Sequence, residues 1–196
     1  MSYGLFTQIA EITDHLYLSS AAAITPERIR SLGITHIINC TMDIPNLNLP
    51  EVESLQIHID DSAKAYLSVY FERVGEKIHQ VAGRGGKTLV HCVAGVSRSA
   101  TLCIAYLMAY YAMTLEKAHA HVKSRRSVIY PNVGFWRQLI DYERRIFGRN
   151  SVKMVTSGVG AVPDVYSERV RGMVWYPTAT NHSPPVSSRV SRYRTY

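Results

Sequence analysis

The run His91-Cys92-Val93-Ala94-Gly95-Val96-Ser97-Arg98-Ser99 constrains this chain more than any other. Before it, Lys87-Thr88-Leu89-Val90 reads as a short buried strand. After it, Ala100 to Met108 reads as a buried helix. A strand, a short loop and a helix N-terminus gather successive backbone N–H groups around one point. The first N–H groups of a helix lack partners and carry the positive end of its dipole, so the point is an anion cradle. Gly95 lets the backbone bend enough for those groups to converge. Arg98 adds a planar fork of donors that suits two phosphate oxygens.

Cys92 is expected at the mouth of that cradle. The helix N-terminus and a nearby Arg both favour a thiolate there. A thiolate beside a bound phosphate is placed for attack on phosphorus, and Ser99 could hydrogen-bond the sulfur and help it leave afterwards. A lone cysteine is more often core packing. Here that alternative would have to account for His, Cys, Gly, Arg and Ser at fixed offsets between a strand and a helix.

With these residues the sequence resembles the cysteine-dependent protein phosphatases, whose signature is His-Cys, five residues, Arg, then Ser or Thr. The form Ala94-Gly95-Val96-Ser97-Arg98-Ser99 is similar to the small atypical dual-specificity phosphatases. The run from Pro131-Asn132-Val133-Gly134-Phe135-Trp136 to Tyr142-Glu143 is similar to their branch numbered fourteen, eighteen and twenty-one. The resemblance covers roughly residues 6–176. It implies an α/β cysteine-phosphatase fold: a mixed, mostly parallel sheet of about five strands, flanked by helices on both faces, with the site at the carboxyl ends.

Strands alternating with helices argue the same layered α/β class from the residues alone. Gln8–Ile12 and Leu16–Ser19 alternate as two strands around a Thr13-Asp14 turn. Thr25-Pro26-Glu27 opens a short helix that stops at Gly33. Thr35–Cys40 is a buried β-branched strand, and Met42–Pro50 is a loop. Ser54–Ile59 alternates as a further strand ending at Asp60-Asp61. Leu67, Tyr70, Phe71, Val74, Ile78 and Val81 mark one face of a long helix. Thr114 caps a helix through Val122, and Asn132 or Gly134 opens another that stops at Gly148. The expected division is a catalytic domain over 1–176 and a Ser/Pro/Arg-rich tail over 177–196, too poor in apolar residues to build a core.

The rest of the composition narrows the chemistry. The net charge of +7 permits an anionic substrate, but part of it lies in the tail, so no nucleic-acid face is read from it. The three cysteines, Cys40, Cys92 and Cys103, show no metal-type spacing and fit a reducing compartment. Neither a signal peptide nor a membrane span is legible, and the run Leu102–Met113 is too short to cross a bilayer. The expected location is the cytoplasm, with the nucleus also open. Cys103 reads as core packing, with a redox partnership to Cys92 as the alternative, and Cys40 reads as core too.

Attack by Cys92 leaves an alkoxide or phenoxide that needs a proton. Asp60 and Asp61 follow a strand that ends at the same sheet edge. Aligning Tyr70-Phe71 with the family places Asp61 on its general-acid position, and Asp60 reads as a solvated turn residue. The resemblance implies that Cys92 is the nucleophile, that Arg98 and the loop residues Val93, Ala94, Gly95, Val96 and Ser97 hold the phosphate, and that Asp61 serves as acid and then base. In the family His91 tunes the thiolate's surroundings and Asn132 supports the loop. A buried structural histidine and a plain helix cap remain the alternatives for these two. No metal or cofactor is expected. The implied partners are phosphoprotein substrates, MAP kinases or their pathway components among them. Two other classes compete. A lipid or inositide phosphatase would want Lys within the loop, which has none. A phospho-binding scaffold would not need Cys92, Arg98 and Asp61 together. Ser127 and Tyr130 depart from the family's proline and arginine near the mouth of the site, which bears on substrate preference.

Overall fold

The structure is a computed structural model that describes residues 3–158, 160–171 and 173. The expected tail over 177–196 lies outside the described residues. In chain order the elements are α1 (Tyr3–Phe6), β1 (Ala10–Thr13), β2 (Leu16–Ser20), α2 (Pro26–Leu32), β3 (His36–Asn39), β4 (Glu53–Gln56), α3 (Phe71–Gly83), β5 (Thr88–Cys92), α4 (Arg98–Tyr111), α5 (Leu115–Arg125), α6 (Val133–Phe147), β6 (Met154–Ser157), β7 (Gly160–Pro163) and α7 (Ser167–Val170).

Five strands form one sheet in the order β1-β2-β5-β3-β4. Only β1 is antiparallel to its neighbour; β2, β5, β3 and β4 all run the same way. This is the expected mixed, mostly parallel sheet. Parallel strands buried on both faces alternate their apolar side chains between two cores. Leu16, Leu18, Ile38, Val90 and Cys92 face the larger one, filled by Phe71, Val74 and Ile78 of α3, Leu115 of α5, Trp136 of α6 and almost all of α4. Tyr17, Ile37 and Leu89 face the smaller one, closed by Ile29 of α2 and Ile34. Helices therefore cover both faces, and α4 is the central buried helix.

The helix starts follow local chemistry. The side chains of Thr25, Thr114 and Asn132 accept from the backbone N–H groups of Arg28, Lys117 and Phe135, each satisfying an N–H that the helix cannot pair internally. Such caps are worth about 1 kcal/mol apiece. Several boundaries differ from expectation. The first strand starts at Ala10 rather than Gln8, and α5 continues to Arg125. β4 ends at Gln56, well short of the two aspartates. Ile57 still donates to the Asn39 carbonyl at 2.8 Å, but beyond it β3 offers no further partner and the ladder stops. A two-stranded sheet of β6 and β7 lies beyond α6, in a stretch where the sequence pattern weakens.

Candidate active site

β5 lies between β2 and β3, with Ser19 and Asn39 both in register with His91 and Ser20 in register with Cys92. The chain leaves this central strand at Cys92 and enters α4 at Arg98. Between them, four successive carbonyls are each held from outside the loop. Val93 accepts from the N–H of Ala21 at 3.1 Å, and Val96 accepts from the N–H of Tyr130 at 2.8 Å. Ala94 and Gly95 accept from the Arg126 guanidinium at 3.1 and 2.8 Å. A trans peptide is planar with its N–H opposite its C=O, so fixing these carbonyls outward turns the N–H groups of Ala94, Gly95, Val96 and Ser97 inward. Gly95 shows the result: its N–H donates to Cys92 Sγ at 3.2 Å. Its φ of 67° and its packing against the Ser19 carbonyl leave no room for a Cβ, so the loop requires glycine there.

Cys92 is 1% exposed and forms the floor of the cradle rather than its mouth, because it still belongs to the central strand. Its sulfur also accepts from Ser99 Oγ at 3.2 Å, as expected from the sequence. Ser97 occupies the N-cap position of α4 without capping it. Its hydroxyl instead donates to Asp61 Oδ1 at 2.7 Å, which leaves the first-turn N–H groups of α4 uncapped by that side chain. Arg98 is buried, with one terminal nitrogen anchored on the Ile59 carbonyl at 3.0 Å. Its Nε is buried without a hydrogen bond among the described residues, and the nearest carboxylate oxygen, Asp61 Oδ2, is 3.8 Å away. A buried guanidinium nitrogen without an acceptor is costly in isolation and is satisfied by an anion.

Asp61 comes from the loop after β4. Its Oδ1 accepts from both Ser97 Oγ and Asn132 Nδ2, at 2.7 and 2.8 Å. The backbone N–H of Asn132 donates to Ser97 Oγ at 3.1 Å, closing a small ring of three residues from three chain segments. Asn132 also caps α6, so its two readings hold together. Asp60, the adjacent residue, is exposed and makes no hydrogen bond or ion pair among the described residues. At Gly134 an added Cβ would overlap the Ala63 backbone; this close approach seats the Asp61 loop on the start of α6.

His91 is buried and its Nδ1 lies 3.4 Å from the Cys92 carbonyl. Burial lowers its pKa to about 4, so the ring is neutral at physiological pH. Cys40 and Cys103 are fully buried in the larger core, and burial pushes both thiols up, in keeping with packing roles. Sequence reasoning missed Arg126, the Ile59 carbonyl and the close approach at Gly134. An Arg beside another Arg near a helix end reads as a solvated charge, and carbonyl partners leave no signature in side-chain identity. Among the described residues, no group of three or more His, Cys, Asp or Glu could hold a metal ion, and no helix is long and apolar enough to cross a membrane.

Residues 16–145 match the family model described as the dual specificity phosphatase catalytic domain. The chain belongs to the dual specificity phosphatase family. It is 49% identical over 177 residues to dual specificity protein phosphatase 14 of Homo sapiens, covering 90% of this chain and 89% of that protein. It is 44% identical over 167 residues to human dual specificity protein phosphatase 18, covering 85% of this chain and 89% of that protein. A mouse putative dual specificity phosphatase, solved in complex with zinc tungstate, superposes with a TM-score of 0.69 at 33% identity, covering 71% of this chain and 89% of that one. This family member is a protein-tyrosine/serine/threonine phosphatase, a hydrolase that acts on phosphoproteins.

Proposed function

We propose that hydrolysis runs through Cys92, Arg98 and Asp61 in two displacements. The Cys92 thiolate attacks phosphorus, an S–P bond forms, and the P–O bond to the leaving oxygen breaks. Asp61 gives its proton to that oxygen, which departs as a serine, threonine or tyrosine hydroxyl. The loop N–H groups and Arg98 hold the three remaining oxygens, whose charge grows in the transition state. Asp61, now a carboxylate, takes a proton from water as the water oxygen attacks phosphorus. The S–P bond breaks, inorganic phosphate leaves, and the thiolate returns, with the Ser99 hydroxyl stabilising it as a leaving group. His91 and Asn132 act through the loop rather than on the phosphate, and no step calls for a metal ion.

The observation that carries this reading is the hydrogen-bond-free Nε of Arg98, buried beside Asp61 at the head of the helix whose Ser99 hydroxyl reaches Cys92 Sγ. The test is turnover of a small aryl phosphate with a chelator present. Cys92→Ser should reduce turnover to background while still binding phosphopeptide, because the cradle survives loss of the nucleophile. Turnover above background in that variant would contradict the assignment.

The absence of Lys from Val93–Ser97 favours phosphoprotein over polyphosphorylated inositide substrates. MAP kinases or components of their pathways, met in the cytoplasm, are the partners this reading assigns, with the catalytic domain spanning 1–176. A panel of doubly phosphorylated activation-loop peptides tests the partner assignment, which fails if none is preferred over unrelated phosphopeptides.

A further inference from the structure

We propose that Arg126 is a positioning residue for this phosphatase, a cation behind the phosphate loop that sets the direction of the N–H groups in front of it. The inference rests on the site reading above and adds a residue that never meets the substrate. Arg126 is 1% exposed and sits at the end of α5, on the side of the loop that the Ala94 and Gly95 carbonyls face. Its Nε donates to the Gly95 carbonyl at 2.8 Å and one terminal nitrogen donates to the Ala94 carbonyl at 3.1 Å. The other terminal nitrogen donates to the Gln8 carbonyl at 2.9 Å, which braces the guanidinium against the segment before β1.

The two loop carbonyls belong to consecutive peptide planes. The plane between Ala94 and Gly95 is held at both ends, by Arg126 on its oxygen and by Cys92 Sγ on its N–H. The next plane, between Gly95 and Val96, is held on its oxygen by Arg126. Loss of these bonds frees both planes to rotate about Gly95, the loop residue with a positive φ. A rotated plane presents a carbonyl oxygen, not an N–H, to the phosphate. The planar fork of Arg matches two adjacent carbonyls; an ammonium is a point charge and satisfies them less well. Burial pulls the Arg126 pKa down from its ordinary value, opposed by the negative charge of a Cys92 thiolate. At neutral pH the guanidinium remains charged.

The test uses the full chain, with inorganic phosphate as competitive inhibitor of aryl-phosphate turnover, and the Arg126→Lys and Arg126→Met variants. Misplacement of a binding group by about 1 Å can cost about 10²-fold in rate. Arg126→Met should therefore lose about 10²-fold in kcat/KM and bind phosphate about tenfold more weakly, measured on folded protein well below its thermal midpoint. Arg126→Lys should recover part of both losses. A merely structural residue would lower the midpoint and leave phosphate affinity unchanged, and that outcome overturns the proposal. If Arg126→Met does not fold, Arg126→Lys decides on the same two readouts; if neither folds, Arg126 is a folding residue and the proposal fails. Wild-type turnover that vanishes in Cys92→Ser but stays undiminished in the Arg126 variants would remove Arg126 alone. Turnover that survives Cys92→Ser would remove the site reading beneath it.

Discussion

The phosphate loop and the Asp61 loop meet in one site but are built in opposite ways. The first leaves a central strand at the buried Cys92, and has each carbonyl from Val93 to Val96 bonded to a donor elsewhere in the fold. The second follows an edge strand, is largely exposed, and reaches the site through the side-chain bonds of Asp61 to Ser97 and Asn132. The contrast fits the role proposed for each. A loop that stabilises developing charge must be aligned before the reaction, since reorienting dipoles during it would cost what they are meant to supply. A residue that delivers one proton needs reach, and it serves leaving groups of different size better from an exposed loop.

The sharpest way to break the comparison is Arg98→Lys. An ammonium cannot reproduce a two-point grip, and the loss should reach about 10²–10³-fold in kcat/KM. A near-normal rate would place Arg98 outside the site. Next is a pH effect confined to the buried side. His91 and His119 have pKa values near 4 in the fold because burial disfavours their charged forms. Unfolded histidine titrates near 6.5, so between about 6.5 and 4 the unfolded chain binds more protons than the fold. Stability should be full above about pH 6.5 and fall as the pH drops towards 4, by about 3 kcal/mol per histidine at most. Urea unfolding across that range measures it, and an acid limb unchanged in His91→Asn would show that His91 contributes nothing to it.

On the exposed side, Asp61→Asn should lower the rate by about 10²-fold with alkyl or ordinary phenol leaving groups, and much less with a very acidic phenol that needs no proton. It should also flatten the alkaline limb of the pH–rate profile. Asn132→Ala should be milder: about tenfold in rate from a less well-aimed Asp61, with about 1 kcal/mol of stability from the lost α6 cap. Asp60→Asn should change little. If the leaving-group-dependent loss appears in Asp60→Asn instead, the acid is Asp60 and the two loops meet one residue earlier.

Much of this architecture is legible in the sequence, for local reasons. The cradle has a signature because its strand, glycine, arginine and helix are contiguous. Thr25, Thr114 and Asn132 announce their helices because a cap is chemistry within four residues. The choice of Asp61 over Asp60 as the proposed acid rests on resemblance, since spacing alone leaves the two level. What escaped is non-local. Arg126 acts on carbonyls about thirty residues away, and a carbonyl is the same whichever side chain its residue carries. β4 stops at Gln56 although Ile57 and Ile59 continue the alternation, because a strand ends where its neighbour stops offering partners. β6 and β7 are four residues each and neither alternates buried with exposed positions, so no apolar period marks them.

The C-terminal segment has a consequence for where this enzyme can be cut. The family match stops at residue 145, and Cys92, Arg98 and Asp61, the groups proposed to react, lie before it. Yet the ring of Tyr166 stacks on Tyr130 at 4.8 Å, meets Trp136 edge-on and takes part in a hydrogen bond with His119. Tyr130 is the residue whose N–H holds the Val96 carbonyl. Ser151 joins in from the other end, donating to the buried Glu143 carboxylate that also receives the N–H of Leu115. A truncation at the edge of the matched region would thus keep the whole list of reactive side chains while taking away the ballast behind them. For this chain the smallest piece that contains the chemistry is shorter than the smallest piece that can hold it still.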